Sequence, residues 1–306
     1  MSRMLSIKVL TETDESVLRP GADELVALVR RIGGDRDHFL VVQRVPDLPD
    51  QFIQVWHDAG EEYQLEYRDG GHDRHYGTRV PAARQVADAM CGWARQQDGW
   101  DAGLAWERLD MPEPEPVPPL ADEVREPVEE MLREQVLCGY ATRQELVSRV
   151  EDFTGGSSEL SVSQPQASEL VDRLWLERVA EQAGWDDEET DPERVERVFA
   201  GLEETGITAR PHFADCRGCG LAEIGGVRPG ARGFVFFHWQ STEAAAAGHG
   251  LMLHYGGFDG SEETTAAIGR EVSAALADAG LGVEWDGDPG QGIAVQPLDW
   301  RKRLVG

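Results

Sequence analysis

Three short runs rich in aromatic and β-branched residues, Phe39 to Val42 (FLVV), Phe52 to Trp56 (FIQVW) and Tyr63 to Tyr67 (YQLEY), predict successive strands, the last of them alternating apolar with polar positions. The DAGE and RDGG segments beside them supply turn residues, so the runs predict a largely antiparallel meander. After Pro81 the pattern changes to a helical period. Val86, Ala89, Met90 and Trp93 fall on one helical stripe able to cover the sheet, and Trp100 and Trp106 are expected to close the same core.

The pattern breaks at MPEPEPVPPL, residues 111–120, where closely spaced prolines deny hydrogen bonds to helix and sheet and favour an extended linker. This predicts a small α+β domain over 1–110, a linker over 111–120 and a second domain over 121–306. The second domain opens with helices. Val124, Val128, Met131 and Leu132 share a stripe in which Pro127 sets a bend or the true start. Thr142 and Glu145 form a capping box ahead of Leu146, Val147 and Val150. Leu170, Val171, Leu174, Trp175 and Val179 face a shared core, and Asp191 with Pro192 reads as an N-cap followed by the first helical residue.

Beyond Gly206 the pattern turns mixed. GFVFFHW at 233–239 predicts a strand, followed by an alanine-rich helix capped by Ser241 or Thr242. Leu251 to Tyr255 predicts a neighbouring strand, and Ile268, Val272, Ala275 and Leu276 a helix ending before Gly280. Val283 to Trp285 is expected to pair with Ile293 to Val295 through DGDPGQG. The fold class is therefore α+β: an N-terminal antiparallel meander with a packed helix, a Pro-rich linker, and a C-terminal domain with a helical half followed by a mixed α/β half. The glycines lack the strand, spacing and acidic residue of a dinucleotide-binding unit.

Charge narrows the partners. With 57 acidic against 29 basic side chains, the formal net charge of -28 repels nucleic-acid phosphates and suits a basic protein partner. The N-terminal MSRMLSIKVL lacks the apolar run of a signal peptide, and no stretch has the roughly 20 apolar residues needed to span a bilayer. Four sparse cysteines do not make an extracellular disulfide scaffold, so a reducing cytoplasm is the expected compartment. The oligomeric state is not encoded in any pattern here.

Candidate chemistry centres on Cys216 and Cys219 in HFADCRGCG, because two thiols at this spacing can share a metal or form a redox pair. Cys91 and Cys138 are solitary, so no second CxxC completes a four-thiolate zinc centre. Three readings stand: an inert pair near a turn, a zinc half-site, and a redox pair assisted by Arg210 or Arg217. A zinc site would add His212 and His238, the latter from a strand folded beside the turn, with His249 and His254 as further donors; four filled positions make zinc structural, an open one permits hydrolysis. In GHDRHYG, His72 and His75 with Asp69 and Asp73 read as a polar hairpin, and the acidic run GWDDEETDPE reads as an interhelical loop without calcium-loop spacing. Neither a GxSxG elbow nor an HExxH helix is present, and the aromatic clusters FVFFHW and ERLWLERV fit cores.

With LVDRLWLERVAEQAGW, GITARPHFADCRGCGLAEI, GFVFFHWQSTEAA and VEWDGDPGQGIAVQPLDWRKR, the stretch from about 121 onward resembles an actinobacterial family of domains of unknown function. Members of that family tend toward FxCCxxCG. The resemblance places Asp215 where the first cysteine falls and retains Cys216, Cys219 and Gly220. They also tend toward FFHQQDTE, so His238, Gln240, Thr242 and Glu243 carry over while Trp239 and Ser241 depart. The first module, through FLVVQRVPDLPDQFIQVW, YQLEYRDGGHDRHYG and GWARQQDGWDAGLAWERL, is similar to small bacterial immunity-like domains, which implies neutralisation of a toxin through an acidic surface. The function expected is that of a non-enzymatic interaction or regulatory protein with an acidic surface and a structural zinc. The alternative is a metal-dependent hydrolase or thiol redox protein centred on Cys216 and Cys219.

Overall fold

The three apolar runs are strands of a seven-stranded antiparallel sheet ordered β2-β1-β3-β4-β5-β6-β7 in the computed structural model, which describes residues 4–153, 161–185 and 188–305. Its elements are β1 (Ile7–Thr11), β2 (Ser16–Leu18), α1 (Ala22–Arg31), β3 (Phe39–Arg44), β4 (Gln51–Trp56), β5 (Tyr63–Asp69), β6 (His75–Val80), α2 (Ala83–Ala94) and β7 (Glu107–Arg108). Register follows burial, with Leu40 opposite Val55 and Val42 opposite Ile53, all four inside. Those residues meet Leu25 and Val29 of α1 and Val86, Met90 and Trp93 of α2. Trp100 and Trp106 do close this core, each edge-on to Tyr67 at 5.0 and 4.8 Å. The N-terminal β1 and β2 are too short to stand out in the sequence pattern, whereas the Leu25, Val26, Leu28 and Val29 stripe of α1 is a legible helical signal that the expected elements did not include.

The remaining elements are α3 (Asp122–Cys138), α4 (Arg143–Glu151), α5 (Gln164–Ala183), α6 (Asp191–Glu204), β8 (Ile207–Arg210), α7 (Arg217–Val227), β9 (Gly233–Phe236), α8 (Trp239–Ala246), β10 (Leu251–Gly257), α9 (Glu262–Asp278), β11 (Val283–Glu284) and β12 (Ile293–Val295). Residues 111–120 carry no regular structure. Two compact units emerge, one of Met1–Arg125, Thr142–Val179 and Leu304–Gly306, the other of Glu126–Ala141 and Ala180–Arg303. In the first, the Arg143 guanidinium on α4 bridges Asp47 at 3.0 Å and Asp172 at 2.6 Å, while the Trp175 indole donates to the Asp47 carbonyl at 2.7 Å. Pro127 lies inside α3 without ending it.

The second unit is built on a five-stranded sheet, β11-β12-β10-β9-β8, in which β8 and β9 are parallel and the other pairs antiparallel. Val195, Phe199 and Leu202 of α6 and Ile268, Val272 and Leu276 of α9 pack with Val235, Leu253 and Ile293. The expected pairing of 283–285 with 293–295 is present as Val283 opposite Val295. Two helix starts differ from expectation. Thr190 is the N-cap of α6, its N–H donating to the Glu193 carboxylate at 2.9 Å, and Asp191 is already helical. The strand predicted over 233–239 stops at Phe236, and His238 caps α8 in place of Ser241 or Thr242.

Candidate thiol site at the carboxyl edge of the second sheet

Parallel register, from Ile207 opposite Gly233 to Arg210 opposite Phe236, puts the carboxyl ends of β8 and β9 at one edge of the sheet. Open sheets place binding chemistry in the crevice outside such ends. Here β8 leads through residues 211–216 into α7, and β9 leads through 237–238 into α8. Backbone bonds join the two connections, Phe213 N–H to the Phe237 carbonyl at 2.8 Å and Trp239 N–H to the Ala214 carbonyl at 3.1 Å. They hold His212 and Ala214 in the left-handed region, at φ 49° and 60°.

This loop delivers Cys216 to the N-cap of α7. Its Sγ accepts the Cys219 N–H at 3.4 Å and lies 2.8 Å from the Cys219 Sγ. Hydrogen bonds from the Cys219 thiol and backbone stabilise a Cys216 thiolate and pull its pKa below the ordinary thiol value, against opposition from desolvation and then from Asp215. The same shared proton pushes Cys219 up. The pair is therefore polarised, one sulfur inclined to ionise and the other to keep its proton. Gly220 lets α7 sit against the sheet, since a methyl group there would overlap the Phe236 ring. The expected assistance from Arg210 is not what lowers Cys216, because that guanidinium is bound to Glu203. The expected turn is instead a helix start. Four glycines in the 217–227 segment erase any helical period, which is why α7 was not legible.

The histidines predicted to join the sulfurs have other partners. His212 Nδ1 bonds the Thr242 hydroxyl at 2.9 Å and its ring stacks on Tyr140. His238 is buried at a helix cap, where Nδ1 accepts the Ser241 N–H at 3.2 Å, and its ring stacks on His254 with centroids 5.1 Å apart. Burial lowers the pKa of His238, and it lowers His254 to about 4 with help from His238 and Arg217. His238, His249, His254 and Arg217 line a cavity of about 520 Å³. Among the described residues no group of three or more His, Cys, Asp or Glu side chains is placed to hold a metal ion. The two sulfurs come together, and the two histidines serve the loop and the cap.

Other candidates resolve into structure. His75 is buried on β6, bonded to Glu66 at 3.1 Å and to Arg68 at 3.2 Å, whereas His72 lies in the turn before that strand. Cys91 and Cys138 are buried, and burial pushes the Cys138 thiol up to about 12. Asp186 and Asp187 of the acidic run lie outside the described residues, and Glu189 pairs with Arg197 at 2.7 Å. One cluster had no sequence signal: Tyr140 donates to Glu196 at 3.0 Å, and buried Lys302 reaches the same carboxylate at 3.0 Å. Its members are far apart in the chain, and no local motif joins them.

Together these features define an α+β protein with paired thiols at a helix start on the carboxyl edge of its second sheet. The chain belongs to the family described as Domain of unknown function (DUF6891), which matches residues 121–304. No curated protein and no solved structure matches it. No helix among the described residues is long and apolar enough to cross a membrane.

Proposed function

We propose that the second unit is a thiol–disulfide exchange module in which Cys216 attacks and Cys219 resolves. The observation that carries this reading is the N-cap position of Cys216, with the Cys219 thiol 2.8 Å away and its N–H aimed at the same sulfur. In the first step the Cys216 thiolate attacks one sulfur of a partner disulfide, forming a mixed disulfide and releasing the other partner sulfur as a thiolate. Cys219 then loses its proton to solvent and attacks the Cys216 Sγ, closing the internal disulfide and releasing the second partner thiolate. The module is oxidised by two electrons, and the partner disulfide is reduced by two.

The test is equilibration in buffers of reduced and oxidised glutathione, followed by alkylation and mass measurement. The expected midpoint falls in the range of roughly -270 to -120 mV that exchange proteins span. Cys219→Ala should trap glutathione on Cys216. Failure of both sulfurs to oxidise at any glutathione ratio overturns the reading. Near-stoichiometric zinc on freshly purified protein, lost in Cys216→Ser/Cys219→Ser, would replace it with a two-thiolate metal site.

A second reading rests on the excess of 57 acidic over 29 basic residues, which favours capture of a basic protein as the resemblance of the first module to immunity-like domains implies. Its signature is one-to-one binding of a single cationic protein whose association rate falls with salt and is unchanged in Cys216→Ser. Binding that vanishes with the thiols would reject it.

A further inference from the structure

Arg44 ends β3 half-buried, with its guanidinium carbon 4.1 Å from the centroid of the Trp93 ring on α2. Burial lowers its pKa, and Asp69 offsets this only through space. Among the described residues no carboxylate is in ion-pair or hydrogen-bond contact with it. Burial sets it apart from the exposed arginines of this unit, and the half-buried Arg68 and Arg143 do have carboxylate partners, Asp50 for the first and Asp47 with Asp172 for the second. A desolvated guanidinium without a counter-charge is costly, and a chain so rich in carboxylates had ready means to supply one.

The end of α2 does not take that role. The carbonyls of Cys91, Gly92 and Trp93 already accept the N–H groups of Arg95, Gln97 and Gln96. Arg44 lines a cavity of about 680 Å³ together with Ser6, Arg95, Gln96 and Gln97, and no aspartate or glutamate is among its lining residues. Leu5 and Leu48 form part of its apolar wall. A guanidinium resting over an aromatic face keeps its N–H donors for in-plane oxygens, the geometry that suits bidentate binding of carboxylate or phosphate.

We propose that this cavity of the first unit binds the oxyanion of a small ligand, carboxylate or phosphate, with Arg44 as the main binding residue and Arg95 as the second cation. The site is independent of the thiols, so its failure and theirs are separable.

The test follows the Arg44 Nε–H resonance of the full chain during titration with inorganic phosphate and, separately, with citrate, each against chloride at matched ionic strength. The expected result is a saturable shift absent with chloride, with affinity weakened at least about tenfold in Arg44→Gln and severalfold in Arg95→Gln. Saturation by phosphate alone or by citrate alone supports the site and assigns its source. Should Arg44→Gln fail to fold, exposed Arg95→Gln and the wild-type resonance decide the matter. Absence of saturation with both anions, or equal affinity in wild type and Arg95→Gln, overturns the proposal.

Discussion

The Tyr140 and His212 rings lie face to face, with centroids 4.5 Å apart and planes 7° from parallel. Tyr140 is itself held by Glu196, and His212 by the Thr242 hydroxyl, so the imidazole clamps the loop that presents Cys216. His212→Ala is expected to lower unfolding free energy by about 1–2 kcal/mol, for a lost ring contact and a lost hydrogen bond. It should also raise hydrogen exchange across residues 213–218 without altering zinc content. A loss of bound zinc in this variant would make His212 a ligand and not a clamp.

Polarisation of the thiol pair predicts unequal alkylation. Iodoacetamide should label Cys216 before Cys219, with an inflection in its pH–rate profile below the ordinary thiol range. Removing the thiol donor in Cys219→Ala should move that inflection up toward the ordinary value. Peptide mass mapping reads both outcomes, and equal labelling of the two sulfurs would contradict the assignment of attacker and resolver.

Acid stability should report on the stacked imidazoles. Burial favours neutral His238 and His254, and the His254 Nε2 is shielded without a hydrogen-bond partner among the described residues. The unfolded chain therefore binds protons first as pH falls. The contribution is complete above the unfolded histidine value near 6.5 and is lost as pH drops toward the folded value of about 4. Urea midpoints should decline over this window in the wild type and decline less in His254→Phe. Identical slopes would show that other groups carry the acid sensitivity.

Arg143 joins two carboxylates, Asp47 and Asp172, and the Asp47 side chain is only 4% exposed. Burial raises the Asp172 pKa even with the guanidinium opposing it. Arg143→Met leaves both acids unpaired and should destabilise the first unit by about 3–5 kcal/mol. Arg143→Lys, a single cation in place of a fork, should recover part of this. A denaturation midpoint near wild type for Arg143→Met would show that water replaces the guanidinium at both acids.

Glycine at position 220 is a packing requirement of the thiol helix. Gly220→Ala drives a methyl group into Phe236, a buried residue of β9, and should cost about 1–3 kcal/mol while displacing α7. Because Cys216 caps that helix, its alkylation rate should change with the melting temperature. A stable Gly220→Ala protein with wild-type thiol reactivity would mean that α7 and β9 pack more loosely than their contacts indicate.

Where burial is periodic along the chain, local sequence determined the structure: the meander of β3, β4 and β5, the stripes of α2, α5, α6 and α9, and the Thr142–Glu145 capping box were all legible, because the side chains that decide them lie within a turn or two of each other. The CxxC spacing likewise marked the only local pair of thiols. Tertiary structure decided the rest. The helix bearing the thiols begins where glycines leave no period, His238 is a cap because β9 ends two residues before it, and Tyr140, Glu196 and Lys302 meet only when distant segments fold together. Which sulfur ionises, and whether a histidine clamps a loop or holds an ion, depends on contacts across sheet and helix that no short window of sequence contains.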